Sequence, residues 1–367
     1  MKALDRTSAA DARRTEPDMP VPMPSHRLSI LAGALALSHA LAGCGGGGGG
    51  GGDGAQAPVA PVAPAASITS ANMDVVARRS YALAFDVYDA SFAAADQLKS
   101  AQNAPATSAT SIALGRLRAL VGADARGSGT KSLAVSKAVL SATEPCESGS
   151  INLSWNDANG NNDIDAGESG SFVFANCVLG GVRFNGGLGM RLTALNSSSA
   201  VDSATAAFTF DALTAVSPGE SSSISGDLTL QATITYAGPS FTTVTTVDAS
   251  ISGSRLALVD NGAPRTFDNY AGRLQLDEVA RLYTFSVSGT ATGAGLPGSV
   301  SFSTPVPISG GYGVDPTTGE LVVVGADNAR LRLTASRNAS LTLTLDADGD
   351  GTADATRTIT YAQFATL

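Results

Sequence analysis

The stretch SISGDLTLQATITY, residues 223–236, alternates apolar and polar side chains with a period of two. Ile224, Leu228, Leu230 and Ile234 all fall on the same parity. Successive side chains of a β-strand point to opposite faces, so this spacing is typical of a strand with one apolar and one polar face. A helix would place its apolar residues three and four positions apart instead.

Segments of the same kind follow one another from residue 146 to the end of the chain, separated by Gly, Asn, Asp and Ser. No helical pattern interrupts them, which favours antiparallel meander connections. The sequence therefore predicts a mainly β fold, a large antiparallel meander sheet over residues 146–367. Ten or more strands must curl, close or fold over to manage their edges, so a curled sheet, a sandwich and a barrel-like form all remain open.

A loose repeat marks this region. Gly-x-Leu-x-(Leu/Met/Val) recurs at Gly186, Gly226, Gly272 and Gly319. We interpret each copy as a strand that begins after a tight bend, which indicates repeated strand pairs.

Residues 68–140 have a helical pattern. Met73, Val76, Leu83 and Val87 lie at mixed three- and four-residue steps, and a shorter candidate helix covers residues 110–122. The sequence thus predicts a short helical region before the sheet, which either packs against it or presents a face to a partner.

The N-terminus contains HRLSILAGALALSHALAGC, residues 26–44: Arg27, then an apolar run, then Leu-Ala-Gly-Cys. The run is too short for a membrane-spanning helix. The motif resembles the lipobox of bacterial lipoproteins. That resemblance implies a signal peptide over residues 1–43, with Met23 or Met19 as the expected true start, and a lipidated Cys44 that anchors the protein in a membrane.

Residues 44–67 begin with eight glycines after Cys44 and continue as APVAPVAPAAS. This composition predicts a flexible tether followed by a stiffer, extended spacer. Gly45 rather than Asp follows the lipidated Cys, which by resemblance to lipoprotein sorting implies the outer membrane of the cell envelope.

Several kinds of chemistry are disfavoured by composition. The only histidines, His26 and His39, lie in the predicted signal peptide. Catalysis by Ser-His-Asp or Cys-His, and the usual zinc and iron sites, therefore lack their side chains in the mature chain. Cleavage would remove five of 23 basic and four of 32 acidic residues, leaving a net charge of −10. Such a chain repels nucleic acid and tolerates cations.

Two cysteines remain after Cys44, an even number in an exported protein. We therefore predict a disulfide between Cys146 and Cys177. If the segments around residues 150 and 174 pair as a hairpin that sets Trp155 opposite Glu168, the two cysteines also fall opposite each other.

The loop of that hairpin is SWNDANGNNDIDAGES, residues 154–169. Oxygen-bearing side chains occupy alternate positions, and a carboxylate ends the series: Asp157, Asn159, Asn161, Asp163, Asp165 and Glu168. This spacing resembles the EF-hand calcium loop. The resemblance implies a Ca²⁺ ion held by these residues, with the backbone carbonyl of Asp163 and a bidentate Glu168. Asn162 replaces the usual Gly, and strands replace the flanking helices.

A second loop, DADGDGTAD, residues 346–354, has the same spacing. The resemblance implies ligands at the following positions: Asp346, Asp348, Asp350, the Thr352 carbonyl and Asp354. Arg357 stands where the closing Glu would be. For both loops the alternative is a polar turn that needs no ion.

Three functions fit these patterns. The first is a lipid-anchored, non-enzymatic envelope protein with a calcium-stabilised β domain and a structural or binding role. The second is a glycosidase-like enzyme that works with carboxylates alone, for which the candidates are Asp211, Glu220, Asp227, Asp277 and Glu278. The third is a carrier that holds a hydrophobic ligand in a curled sheet.

Overall fold

The computed structural model describes residues 63–100, 139–159, 165–198, 200–238, 243–293 and 295–367, without the side chains of residues 88–100, 139–140 and 197. One long helix, α1 (Met73–Ser100), precedes the strands, and a single-turn helix, α2 (Tyr361–Phe364), ends the chain. The fourteen strands are β1 (Val139–Pro145), β2 (Ser148–Asn156), β3 (Ser169–Leu179), β4 (Val182–Ser197), β5 (Val201–Ser217), β6 (Glu220–Ala237), β7 (Thr243–Asp260), β8 (Ala263–Asp277), β9 (Leu282–Gly293), β10 (Val300–Gly311), β11 (Thr318–Val324), β12 (Arg330–Ser336), β13 (Ser340–Asp346) and β14 (Ala355–Thr360).

The strands form one antiparallel sheet in which each strand pairs with the next along the chain. The sheet is unclosed, with β1 and β14 at its edges. The predicted mainly β meander after a short helix is confirmed, and of the three forms left open, the single open sheet is the observed one. The β structure begins at Val139, seven residues before the predicted boundary at residue 146.

One face of the sheet carries the core. The alternation in β6 buries Ile224, Leu228, Leu230 and Ile234, as the sequence predicted, while their neighbours along the strand stay partly or fully exposed. The buried side chains from β2 to α2 belong to one continuous cluster. Each strand thus contributes one apolar face to a common core and one polar face to solvent.

Helix α1 packs on this apolar face against β6–β12. Phe85 meets Phe285 with ring centroids 6.0 Å apart, and the buried Arg265 guanidinium lies 3.3 Å from the Asp86 carboxylate. No helix in the described residues is long and apolar enough to cross a membrane. The shorter candidate helix, residues 110–122, lies outside them.

The chain enters the fold at the end of the sheet where β9 meets β10. Ala66 donates to the Ser299 carbonyl over 2.7 Å, and Ala326 donates to the Ala66 carbonyl over 2.8 Å. Ala66 and Ile68 are buried. Residues 63–67, which the sequence places in the tether, are therefore part of the folded domain.

A line of β-bulges crosses the sheet. Ladder registers shift between β4 and β5, β5 and β6, and β6 and β7. Gly226 lies at such a shift with φ 118°, and a Cβ there would collide with the Arg255 carbonyl. Three of the four repeat glycines, Gly186, Gly226 and Gly319, adopt positive φ. Gly319 is the second residue of β11, so this copy does begin a strand, whereas Gly186, Gly226 and Gly272 lie inside β4, β6 and β8. The expectation that each copy begins a strand was therefore wrong for these three, and at Gly186 and Gly226 the reason is a bulge, which bends a strand without ending it.

The β2–β3 hairpin carries the predicted disulfide. Cys146 and Cys177 are bonded, with Cα atoms 5.4 Å apart. The predicted register is wrong by two residues, since Trp155 pairs with Gly170 and not with Glu168. The reason is that Gly167 and Glu168 form their backbone hydrogen bonds with Leu192 of β4 instead, over 2.7 and 2.9 Å.

Candidate metal centre

The ends of β2 and β3 bring two carboxylates to the apolar side of the sheet. In β2 the buried positions are Ile151, Leu153 and Trp155, and Asp157 continues the alternation just beyond the strand with 2% exposure. Glu168, which is fully buried, stands just before β3 on the same parity as buried Phe172 and Phe174. The period of two therefore directs both acids toward the core.

Glu168 is held firmly at this position. Its backbone carbonyl accepts from Leu192 N–H, which extends the β3–β4 ladder past the last residue of the strand. Its Oε2 accepts from the Asp165 N–H over 3.0 Å. The closing carboxylate of the loop is thus fixed by the sheet and by its own loop before any ligand binds.

Two buried polar atoms of the β2–β3 hairpin have no hydrogen-bond partner among the described residues. They are Oε1 of the Glu168 carboxylate and the indole Nε1 of Trp155. Burial raises the pKa of the Glu168 carboxyl above its ordinary value, and the charges of Asp157 and Asp165 raise it further. The Asp165 N–H and the Trp155 indole act in the opposite direction. Buried carboxylates of like charge are costly unless a cation or a proton compensates them.

The remaining predicted ligands are only partly placed. The Asn159 side-chain amide donates to Asp165 Oδ2 over 2.6 Å, which draws the two halves of the loop together. Asn161 and Asp163 lie outside the described residues. Asp157, Asn159, Asp165 and Glu168 carry hard oxygen atoms, which suit Ca²⁺ better than a softer metal. Among the described residues, Asp157, Asp165 and Glu168 do not form a group whose carboxylate oxygens all lie within 4.8 Å of one another, whereas Asp346, Asp348 and Asp354 of the second loop do.

The loop between β13 and β14 differs. Oxygen atoms of Asp346, Asp348 and Asp354 lie within 4.8 Å of one another, but Asp348 and Asp354 are exposed. The two Asp346 oxygens accept from the Gly349 and Gly351 amides over 2.8 and 3.0 Å. The backbone of this loop therefore already satisfies much of its carboxylate chemistry.

The other predicted ligands of this loop also make local turns. Asp354 Oδ2 accepts from Ala347 N–H over 2.7 Å, and Asp350 Oδ1 accepts from Thr352 N–H over 2.6 Å. Arg357, at the position of the absent closing Glu, forms an ion pair with Asp74 in the first turn of α1. At the position where an EF-hand loop would have its closing ligand, this loop therefore has Arg357, which contacts α1.

The carboxylates considered for an enzyme lie on or next to β5, β6 and β8, and Asp227 and Asp277 accept hydrogen bonds from nearby backbone amides. Asp227 belongs to the bulge line; burial raises its pKa, but hydrogen bonds from Ser254 and Arg255 outweigh this and hold the pKa below its ordinary value. Asp277 accepts from the Val279 and Ala280 amides of its turn. Asp211 lies in β5, Glu220 begins β6, and Glu278 follows β8.

A cleft of about 450 Å³ lies across β7–β10, and its lining contains no acidic residue. Its polar side chains come from four neighbouring strands: Ser250, Ser252, Arg273, Ser286, Ser288, Ser303 and Thr304. Arg273 is already paired with Asp248, with atoms 2.6 Å apart. This cleft does not hold the carboxylate pair that a glycosidase needs.

The burial of Trp155 on the same face of the sheet as Asp157 was missed at the level of sequence. Its spacing from Asp157 and from the strand interior placed it on the same face as the acids, and this spacing could have predicted its burial there.

Comparison with known proteins found no match to a family model, to a curated protein or to a solved structure.

Proposed function

We propose that the protein is a lipid-anchored, non-enzymatic protein of the cell envelope whose β domain is stabilised by Ca²⁺ and has a structural or binding role. The observation that carries the proposal is the burial of Asp157 and Glu168 together, with Glu168 Oε1 lacking a hydrogen-bond partner among the residues that the structure describes. A divalent cation would satisfy that oxygen and compensate both charges.

The ion would act as a clamp on the β2–β3 hairpin. Asp157 follows β2 and Glu168 precedes β3, so one cation bridging them would join the two strands at their open tip. The disulfide closes the opposite end of the same hairpin. At free calcium tenfold above the dissociation constant, the ion would stabilise the fold by about 1.4 kcal/mol.

The lipid anchor is supported by the Leu41–Cys44 motif and by the Gly-rich residues that follow it. Cys44 and the rest of the tether up to residue 62 lie outside the described residues. The net negative charge of the mature chain is consistent with a domain held away from an anionic surface, since like charges repel.

Calorimetry of the full chain, purified in detergent, tests the calcium clamp. Titration should release or absorb heat with one dominant site, and saturating Ca²⁺ should raise the melting temperature by about 3–5 °C over chelator. Equal melting temperatures in calcium and chelator would contradict the clamp.

Labelling cells with radioactive palmitate tests the anchor separately. The wild-type chain should incorporate label and fractionate with the outer membrane, and the Cys44→Ala variant should do neither. Undiminished labelling of that variant would remove the anchor from the proposal and leave the clamp in place.

A further inference from the structure

Two loops at one end of the sheet present exposed apolar side chains. Val279 lies in the turn between β8 and β9, Leu282 begins β9, and Val314 lies in the loop between β10 and β11. They are 75%, 51% and 60% exposed, and Val279 and Val314 are the two most exposed large apolar side chains in the described part of the chain. Leu282 pairs with Gly311, and an added Cβ on Gly311 would lie 3.3 Å from Val314 Cγ2. We call Val279, Leu282 and Val314 the apolar tip.

The two loops are held in place by hydrogen bonds. Asp277 Oδ1 accepts from the Val279 and Ala280 amides over 3.0 and 2.7 Å. The Tyr312 amide donates to the Arg281 carbonyl over 3.0 Å, which joins one loop to the other. The Arg281 guanidinium lies 5.8 Å from the centre of the Tyr312 ring. The apolar tip is therefore already in place, so a partner need not order it on binding.

Acidic side chains surround the apolar tip. Asp277 and Asp315 are exposed, and Glu278 is half-buried. Residues 277–282 and 312–317 together contain these three acids and one basic residue, Arg281, so the net charge of the two loops is −3 + 1 = −2. We call Asp277, Glu278 and Asp315 the acidic rim. Such a rim attracts basic partners and repels acidic ones.

The chain enters the fold at the opposite end of the same two strands. Ala66 binds the Ser299 carbonyl just before β10, whereas Leu282 begins β9 at the other end. Since β9 has 12 residues, the apolar tip lies about 40 Å from this entry, at about 3.3 Å per residue. The tip thus points away from the tether and from the membrane that the proposed anchor would occupy.

Charge and position select among the possible occupants of the tip. An anionic membrane surface would be repelled by the acidic rim, and it lies on the side of the tether. A second copy of this chain in a twofold dimer would set the same acidic rim against itself. A basic segment of another protein is attracted by the rim, and its apolar side chains can cover the aliphatic residues.

We propose that the apolar tip docks a short basic segment of another envelope protein, with aliphatic side chains over Val279, Leu282 and Val314 and with Lys or Arg against the acidic rim. This inference rests on the binding role in the proposed function and names the class of partner. It does not require calcium to be bound. Three aliphatic side chains bury little area, so the contact belongs to the small, transient class of interfaces.

Photo-crosslinking of the full chain in isolated cell envelopes tests the docking. The photoreactive residue benzoylphenylalanine replaces Val314, and mass spectrometry identifies the captured peptide. That peptide should have a net positive charge and aliphatic side chains. Irradiation in about 0.5 M NaCl should lower the yield about threefold or more, because salt screens exposed charges.

Two aspartate variants in the same photoreactive chain give a matched comparison. Leu282→Asp places a charge in the apolar tip and should lower the yield about tenfold. Val306→Asp changes an equally exposed side chain, which lies within β10 and away from the tip, and should leave the yield unchanged. Both variants should melt within about 2 °C of the parent chain, since the substituted side chains are exposed.

Each outcome decides the proposal. A captured basic segment that is lost with Leu282→Asp and kept with Val306→Asp would support it. No product, an acidic segment, a second copy of this chain or lipid alone would overturn it, as would equal losses in the two variants. A product that persists in chelator would support the docking even if calorimetry contradicts the clamp, and failure of the docking would leave the clamp and the anchor standing.

Discussion

The two acidic loops have the same oxygen spacing but opposite environments. In the β2–β3 loop, Asp157 and Glu168 are buried, and Glu168 Oε1 has no hydrogen-bond partner in the described part of the chain. In the β13–β14 loop, Asp348 and Asp354 are exposed and the Asp346 oxygens accept backbone amides. Spacing alone therefore does not show which loop needs an ion. Under the proposed function, burial distinguishes the two loops, because a desolvated carboxylate gains more from a bound cation than an exposed one.

The largest expected effect concerns the closed end of the β2–β3 hairpin, which the β13–β14 hairpin lacks. Replacing Cys146 and Cys177 by serine removes a link across a separation of 31 residues. We expect a loss of about 3–4 kcal/mol in urea unfolding, by the chain-entropy relation.

Calcium affinity of that double variant should change little, because the disulfide and the ion loop lie at opposite ends of the hairpin. A large loss of affinity would show that the two ends are coupled.

The second largest expected effect concerns Glu168 of the buried β2–β3 loop. Glu168→Ala removes the closing carboxylate and should abolish calcium binding in isothermal titration. At free calcium tenfold above the wild-type dissociation constant, stability should fall by about 1.4 kcal/mol, since the stabilisation by the ion is lost.

In chelator the same variant should match or exceed the wild type, because a buried charge has been removed. A loss of equal size in calcium and chelator would mean that Glu168 supports the fold without an ion.

A smaller effect is expected from a variant in which the exposed β13–β14 loop is made to resemble the buried β2–β3 loop. Arg357→Glu supplies the absent closing carboxylate, and pairing it with Asp74→Asn avoids a new repulsion with α1. The double variant should gain a weak second calcium site, with a dissociation constant on the order of 10⁻³ M.

Its cost in stability without calcium should be below about 1 kcal/mol, since the lost ion pair is partly exposed. Asp74→Asn alone is the control, and it should gain no site. A double variant with no added binding would mean that the loop backbone, and not its missing Glu, prevents coordination.

The smallest effect belongs to Asp348→Ala. This exposed side chain accepts one amide from within its own turn, over 3.2 Å. Its removal should change the free energy of unfolding by no more than about 0.5 kcal/mol, in calcium or in chelator. A calcium-dependent loss above 1 kcal/mol would place a structural ion in the β13–β14 loop too.

Much of the fold was predictable because the alternation is regular. Ile224 to Ile234 in β6 were assigned to the buried face from parity alone, and they are buried. The disulfide was predictable because only two cysteines follow Cys44. The choice of a single open sheet was not, since a strand with one apolar face serves a sandwich, a barrel and an open sheet equally.

The hairpin register shows a second limit. The pairing of Trp155 with Gly170 depends on β4 taking the backbone groups of Gly167 and Glu168, a contact between residues 24 or 25 positions apart. No local feature of the loop sequence indicates that β4 takes these backbone groups. Gly226 could likewise be recognised from the sequence as a conspicuous glycine. The sequence did not show that it forms a bulge inside a strand.

The order of side chains by itself determined the strand faces, the paired cysteines and the oxygen-rich spacing of both loops, because each depends on neighbours along the chain. Only the tertiary structure decided that Asp157 and Glu168 are buried, as Trp155 is, whereas Asp348 and Asp354 are exposed to solvent. Desolvation depends on which distant residues cover a carboxylate, and that covering is a property of the folded sheet.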